Sequence, residues 1–243
     1  LPSVTATSLA YLLFTSGSTG VPNGVRITHG NVRTFLDVNG QRYGLTPQDR
    51  LTQTFDQTFD LSIFDMFMAW DSGAAVCAMR PIDLLAPFKF LELNRITTWF
   101  SVPSVAALLL KRDALKRGCM PGLRWSLFCG EGLPAATAEA WQRAAPNSVV
   151  ENLYGPTELT IVCSVYRWNS ATSPSQCVND LVPIGEVYEG LSSIIVDGKL
   201  NEVGPGEVGE LCVGGAQTSP GYWKSEDRTA ARFFRRELPD GST

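Results

Sequence analysis

LAYLLFTSGSTGVPNGVRITHGN, residues 9–31, joins an apolar run to a stretch of small, hydroxylated and glycine-rich residues. The run over 9–14 is apolar throughout, and this predicts a strand covered on both faces. Thr15, Ser16, Ser18 and Thr19 then supply hydroxyl donors. Gly17 and Gly20 let the backbone turn so that its N–H groups converge on phosphate oxygens. The spacing matches neither of the better-known glycine loops. No Gly-Lys-Ser/Thr unit follows at the P-loop distance, and Ser18 breaks any G-x-G-x-x-G fingerprint. The esterase elbow fails too, because Ser16 stands where its first glycine belongs. A Gly/Ser-rich surface turn is the plainer reading of such a stretch. The strand before it and the density of hydroxyls favour a loop for a polyphosphate.

Downstream of the loop the pattern alternates. A short strand over 24–28 precedes a helical spacing from His29 through Val32, Phe35, Leu36 and Val38. A strand over 51–55 leads to a helix begun by Asp60, with Leu61, Phe64, Phe67 and Met68 on one side and Gly73 as its C-cap. Residues 74–79 read as extended. Helices over 84–93, 104–116 and 135–144 then each precede a strand, over 97–102, 123–128 and 149–153. Strand and helix in turn predict an α/β fold, a mostly parallel sheet with flanking helices. Ligands bind such sheets beyond the carboxyl ends of the strands. From about residue 163 the pattern changes to strands over 182–187, 192–196 and 209–213 separated by turn residues, a C-terminal antiparallel β section. A closing helix over 225–234 has Ser225 as its cap.

Composition narrows the function classes. With 18% charged residues and a formal net charge of −4, the chain lacks the clustered Lys and Arg of a nucleic-acid surface. The apolar run at 9–14 is too short to span a bilayer and no basic n-region precedes it, so no membrane partner and a cytoplasmic location are expected. The six cysteines form no C-x-x-C pair, and most sit in apolar runs where a reduced thiol serves as a small core residue. His29 is the single histidine, which excludes a multi-histidine zinc site and leaves a Ser-His-Asp hydrolase dependent on it alone.

Four stretches carry a resemblance. TSGSTGVPNGV (15–25), Phe59-Asp60-Leu61-Ser62, Asn152-Leu153-Tyr154-Gly155-Pro156-Thr157-Glu158 and Gly209-Glu210-Leu211-Cys212-Val213-Gly214-Gly215 resemble, in the same order, motifs of the amino-acid adenylation domains of nonribosomal peptide synthetases, within the adenylate-forming enzymes. The similarity spans nearly the whole chain. It implies that residues 1–243 are a partial adenylation (AMP-binding) core, a fragment of the large N-terminal domain. Family members have a preceding segment, continue into a Tyr-x-Thr-Gly-Asp motif whose aspartate holds ribose, and carry a small C-terminal domain with a catalytic lysine. These parts are expected to lie outside 1–243.

The resemblance also implies a reaction. A substrate carboxylate attacks the α-phosphate of ATP to give an acyl-adenylate and pyrophosphate, and the acyl group passes to the phosphopantetheine thiol of a carrier protein. Such a transfer needs phosphates fixed in line and their charge neutralised. By resemblance Thr15, Ser16, Gly17, Ser18, Thr19 and Gly20 hold the β- and γ-phosphates. Glu158, with Thr157, holds Mg2+ and the α-phosphate, a hard cation wanting oxygen ligands. Tyr154 with Gly130, Glu131 and Gly132 lines the adenine slot, and Asn152 and Gly155 belong to the same nucleotide motif. The plainer reading of Glu158 is a helix N-terminal acid, and of Tyr154 a core aromatic.

Asp60 sets the substrate class. As a helix N-cap it needs no function. In the family an aspartate here pairs with the substrate's α-ammonium, which favours an α-amino acid over a fatty or aryl acid. Motif alignment puts Leu61, Phe64, Phe100, Leu127, Cys129, Leu153, Ile161 and Val162 around the substrate side chain. A neutral polar group would lose about 2–7 kcal/mol in so apolar a setting, so an apolar side chain is expected. Several of these residues double as core, and a one-residue slip on a strand would exchange half of them. One departure stands out. The family loop usually ends Pro-Lys-Gly, with the lysine on the terminal phosphates, and here the residue is Asn23, with Arg26 the candidate to replace the charge in part. The competing readings are an acyl- or aryl-CoA ligase of the same superfamily, against which Asp60 speaks, and a degenerate, non-catalytic nucleotide-binding module, which Asn23 favours.

Overall fold

The computed structural model describes residues 3–16 and 20–235. They divide into two units, one of Leu1–Phe35, Pro156–Cys163 and Val187–Thr243, the other of Leu36–Gly155 and Ser164–Glu186. In the first, β1 (Leu9–Thr15) pairs antiparallel with β2 (Asn23–Thr28), with Thr15 opposite Asn23. The expected strand covered on both faces is therefore half of a partly exposed hairpin, with Phe14 61% exposed. An uninterrupted apolar run cannot separate the two cases, since periodicity is silent when every position is apolar. Burial falls instead on β2, where Val25 and Ile27 are sealed. A Cβ at Gly24 would sit 3.1 Å from the side chains of both Phe14 and Trp223, a tight fit that glycine avoids.

Helix α1 (His29–Tyr43) starts on a reciprocal cap. The Asn31 N–H donates to Thr28 Oγ1 and the Thr28 N–H to Asn31 Oδ1, meeting two donors that a helix start leaves open. Asn31 Nδ2 in turn donates to the carbonyls of Ala216 and Thr218, so the cap also fastens a segment far along the chain.

The second unit holds the expected alternation: β3 (Arg50–Gln53), α2 (Leu61–Ser72), β4 (Ala75–Ala78), α3 (Phe88–Leu93), β5 (Thr98–Ser101), α4 (Pro103–Lys111), β6 (Trp125–Phe128), α5 (Ala135–Ala144), β7 (Val149–Tyr154) and β8 (Ser164–Arg167). With β9 (Glu186–Val187) at its end, the sheet runs β4-β3-β5-β6-β7-β8-β9. From β4 to β7 the pairings are parallel, and β8 returns antiparallel to β7. Two helices differ from expectation. The one over 84–93 is broken into a single 3-10 turn, Asp83–Leu85, and α3, because Pro87 between them has no N–H to continue a helix. The one over 104–116 stops at Lys111, and Asp113 takes φ +55, a left-handed exit that the apolar spacing of Ala114 and Leu115 does not announce. Gly73 closes α2 at φ +69, as expected.

Trp141 on α5 packs 5.2 Å, centroid to centroid, from both Trp99 on β5 and Phe128 on β6, and all three are sealed from water. The sheet also holds ions. Glu151 on β7, fully buried, accepts from Arg42 at 2.6 Å, Arg167 at 3.0 Å and Tyr43 at 3.2 Å, which meets the demand that a buried charge be paired. Burial pushes the Asp49 carboxyl up, but hydrogen bonds from Arg124, Thr97 and Thr46 outweigh it and hold the group below its ordinary range.

Back in the first unit, β10 (Leu191–Val196) and β11 (Glu210–Gly215) form the antiparallel section that the turn residues foretold. Of the strand expected over 182–187 only β9 forms. Helix α6 (Glu226–Arg232) follows Ser225, whose side chain makes no cap hydrogen bond, contrary to expectation. Among the described residues no helix is long and apolar enough to cross a membrane.

Asp65, inside α2, is fully buried and neither of its oxygens meets a partner with hydrogen-bond geometry among the described residues. Desolvation pushes its carboxyl well above the usual range, and the pull of the Thr54 backbone N–H does not offset it. The folded protein therefore keeps a proton that the unfolded chain releases, and stability is lost as pH climbs from the unfolded value toward the raised one. Replacing Asp65→Asn in the full-length polypeptide should stabilise it at pH 8 by about 1–3 kcal/mol and leave it nearly unchanged at pH 3. Denaturant midpoints measured across that range check this.

Candidate active site

The parallel strands fix where the motif residues fall. Because β3, β5, β6 and β7 point the same way, their carboxyl ends share one edge of the sheet. Asp60 follows β3, Cys129 to Gly132 follow β6, and Tyr154 ends β7. Asp60 stands at the N-cap position of α2, is 9% exposed and makes no side-chain cap hydrogen bond. Capping thus does not explain this carboxylate. Glu131 does act on a helix, since its Oε2 accepts the Ser104 N–H in the first turn of α4 at 2.9 Å. Gly130 takes φ +93 beside Leu61 and Val102, a backbone conformation in which any side chain would be strained. Asn152 is turned to structure: its Nδ2 donates to the carbonyls of Val182 at 3.3 Å and Pro183 at 2.9 Å. Tyr154 is 38% exposed, not a core aromatic.

The apolar residues assigned to the substrate side chain in this unit converge. Phe64 of α2 packs 4.7 Å from Phe100 of β5, and Phe100 lies in register with Leu127 of β6. Leu61, Phe64, Phe100, Leu127, Cys129 and Leu153 are all buried. A surface hollow of about 600 Å3 opens elsewhere, lined by Gln48, Arg50, Leu93, Asn94, Arg95 and Thr97, and none of the motif residues lines it.

The first unit carries the other half of the assignments. Thr15 ends β1 and Gly20 takes φ +79, while Ser16 is exposed; Gly17, Ser18 and Thr19 lie outside the described residues. Glu158 and Thr157 sit in a 3-10 turn, Thr157–Leu159. Tyr222 donates its hydroxyl to Glu158 Oε1 at 2.7 Å, and the Glu158 carbonyl accepts the Ser219 N–H at 2.8 Å. Burial first, and then the Glu158 carboxylate, push the Tyr222 phenol up to about 12, so it is a donor at any physiological pH. The second carboxylate oxygen has no hydrogen bond among the described residues. Among them, too, no group of three His, Cys, Asp or Glu gathers as a metal cage.

The turn leads into a strained segment. Thr160 and Ile161 have φ of +57° and +74°, a conformation that β-branched side chains rarely accept. Gln217 holds it. Its Nε2 donates to the carbonyls of Leu159 at 3.1 Å and Val162 at 2.9 Å, and its own carbonyl accepts Thr160 Oγ1 at 2.6 Å. Ile161 and Val162, both assigned to the substrate, are thus fixed by a residue more than fifty positions away. The sequence reading named neither Gln217 nor Tyr222, and no local spacing could have found them, since each acts across the chain on a distant backbone or carboxylate.

The family described as AMP-binding enzyme matches residues 1–223. An L-proline–L-prolyl-carrier protein ligase of Streptomyces coelicolor is 38% identical over 99% of the chain, which spans 46% of that protein. Pyochelin synthetase PchF of Pseudomonas aeruginosa is 35% identical over 98%, with 13% of its length matched. Among solved structures, the Vibrio cholerae adenylation domain AlmE, in complex with glycyl-adenosine-5'-phosphate, superposes with a TM-score of 0.88 at 34% identity, covering 96% of this chain and 44% of that one. The chain spans less than half the length of each of these.

Replacing Gln217→Ala would leave two buried carbonyls without their donor beneath a strained turn. We expect a loss of about 1–3 kcal/mol in the full-length polypeptide. Amide hydrogen exchange should quicken over 159–163. Unchanged exchange there would show that the turn holds itself.

Proposed function

The chain belongs to the AMP-binding enzyme family, and on that premise we propose that it activates an α-amino acid as an aminoacyl-adenylate. A carboxylate oxygen of the amino acid bonds to the α-phosphorus of ATP, the bond from that phosphorus to the β-phosphate bridge breaks, and pyrophosphate leaves. The phosphopantetheine sulfur of a carrier protein then attacks the carbonyl carbon. A thioester forms, AMP departs and the thiol proton goes to solvent. The observation that carries this reading is the shared edge of the parallel sheet, where the loops after β3 and β6 and the last residue of β7 present Asp60, Gly130 to Gly132 and Tyr154.

Each residue has a task. Asp60, largely buried at the N-cap position of α2, meets the α-ammonium. The buried set around Phe64 and Phe100 receives an apolar side chain and gives a charged one no partner. Tyr154, with Gly130 to Gly132, borders the base. Thr15, Ser16 and Gly20, with the intervening residues, present donors to the phosphates. Glu158 and Thr157 would hold Mg2+, which neutralises phosphate charge as pyrophosphate departs. Tyr222 occupies one Glu158 oxygen and so orients the other. Support for a carrier-protein partner comes from the prolyl-carrier ligase and synthetase relatives.

The test is amino-acid-dependent exchange of labelled pyrophosphate into ATP by the full-length polypeptide, across charged, polar and apolar amino acids. Exchange with one or a few apolar ones is expected, and Asp60→Ala should lower kcat/KM by about 100-fold or more. ATP binding without exchange for any amino acid would overturn the reading in favour of another acid or of a degenerate module. Tyr222→Phe should raise the Mg2+ concentration needed for half-maximal ATP binding about tenfold. An unchanged magnesium titration would remove Tyr222 from that role.

A further inference from the structure

Arg228, on α6, reaches back to the exit of the glycine-rich loop. Its Nη1 donates to Asn23 Oδ1 at 2.6 Å and lies 3.2 Å from the carbonyl of Val21 and 3.4 Å from that of Pro22. Its Nε donates at 2.6 Å to Ser225 Oγ, the hydroxyl that makes no cap hydrogen bond. Three acceptors on consecutive residues converge on one guanidinium nitrogen. The neighbouring chain is fastened in the same way: the Trp223 N–H donates to the Gly24 carbonyl, the Arg26 N–H to the Gly221 carbonyl, and Ser219 Oγ to the Arg26 carbonyl. The segment 219–228 therefore grips 21–26 along its length.

The grip has a charge as well as a shape. Asn23, opposite Thr15 in the hairpin, is neutral, and Arg26 makes no side-chain hydrogen bond among the described residues. The guanidinium at this end of the hairpin is that of Arg228, a planar cation with several donors. We propose that Arg228 is a positioning residue for a nucleoside polyphosphate: it orders the loop exit through Val21, Pro22 and Asn23, and it brings to that end of the loop the positive charge that Asn23 lacks. This rests on the nucleotide reading above.

The experiment uses the full-length polypeptide carrying Arg228→Leu, Arg228→Lys, or Arg228→Leu together with Asn23→Lys. Three quantities are read: the Kd for MgATP without amino acid, KM for ATP against kcat in pyrophosphate exchange, and amide hydrogen exchange over 20–24. Arg228→Leu should raise Kd and KM about tenfold, with kcat within about twofold of wild type, and speed amide exchange over 20–24. Arg228→Lys and the double variant should each recover much of the affinity, since either restores a cation. Two results overturn the proposal alone: a folded Arg228→Leu protein that binds MgATP as wild type does, or a loss that neither lysine variant recovers. A wild-type polypeptide that binds no MgATP overturns the nucleotide reading and this proposal with it.

Discussion

Neighbouring strands that run the same way leave their carboxyl ends along one edge, and this constraint organises the second unit. From β4 through β7 every pairing is parallel. Parallel strands require crossovers, so helices must intervene, and each loop on the carboxyl edge is free to carry a side chain without disturbing the ladder. The buried charges serve the same register. Glu151 with Arg42 and Arg167, and Asp49 with Arg124 and Thr97, tie strand to strand and strand to helix. Removing one member would strand another in the interior, which makes the alternative registers expensive.

The first unit works by a different means. Its sheets are pairs of strands, too small to build a core of their own, and distant segments are joined by single side chains that bond to backbone. Asn31 fastens 216 and 218, Ser219 fastens Arg26, Gln217 fastens 159 and 162, and Arg228 fastens 21–23. Such bonds are directional where apolar contact is not. They fix loops that carry polar work and cannot be apolar themselves.

Much of this was legible in the sequence, and the limits have physical causes. The α/β alternation was visible because amphipathic helices and apolar strands have different periods, and Gly73 announced its own left-handed turn. The hairpin of β1 and β2 was misread because an all-apolar run has no period. The break at Pro87 was available from its missing N–H, whereas the stop before Asp113 left no mark. Asp60 and Gly130 to Gly132 could be placed beyond strand ends because strand ends are legible. The supports Tyr222, Gln217 and Arg228 could not, since a bond across fifty to two hundred residues leaves no local pattern.

The strained turn at Thr160 and Ile161 bears on how these chains can be recombined. Two β-branched residues with positive φ lie between carbonyls that Gln217 holds from more than fifty positions away. The stretch 157–163 is therefore not a self-contained cassette. Moved into a host lacking that glutamine, it would carry the right side chains on a backbone free to relax toward ordinary angles, and Ile161 would swing away from the direction it now faces. The heritable module is the turn together with its distant tether, a discontinuous unit that a cut at motif boundaries divides.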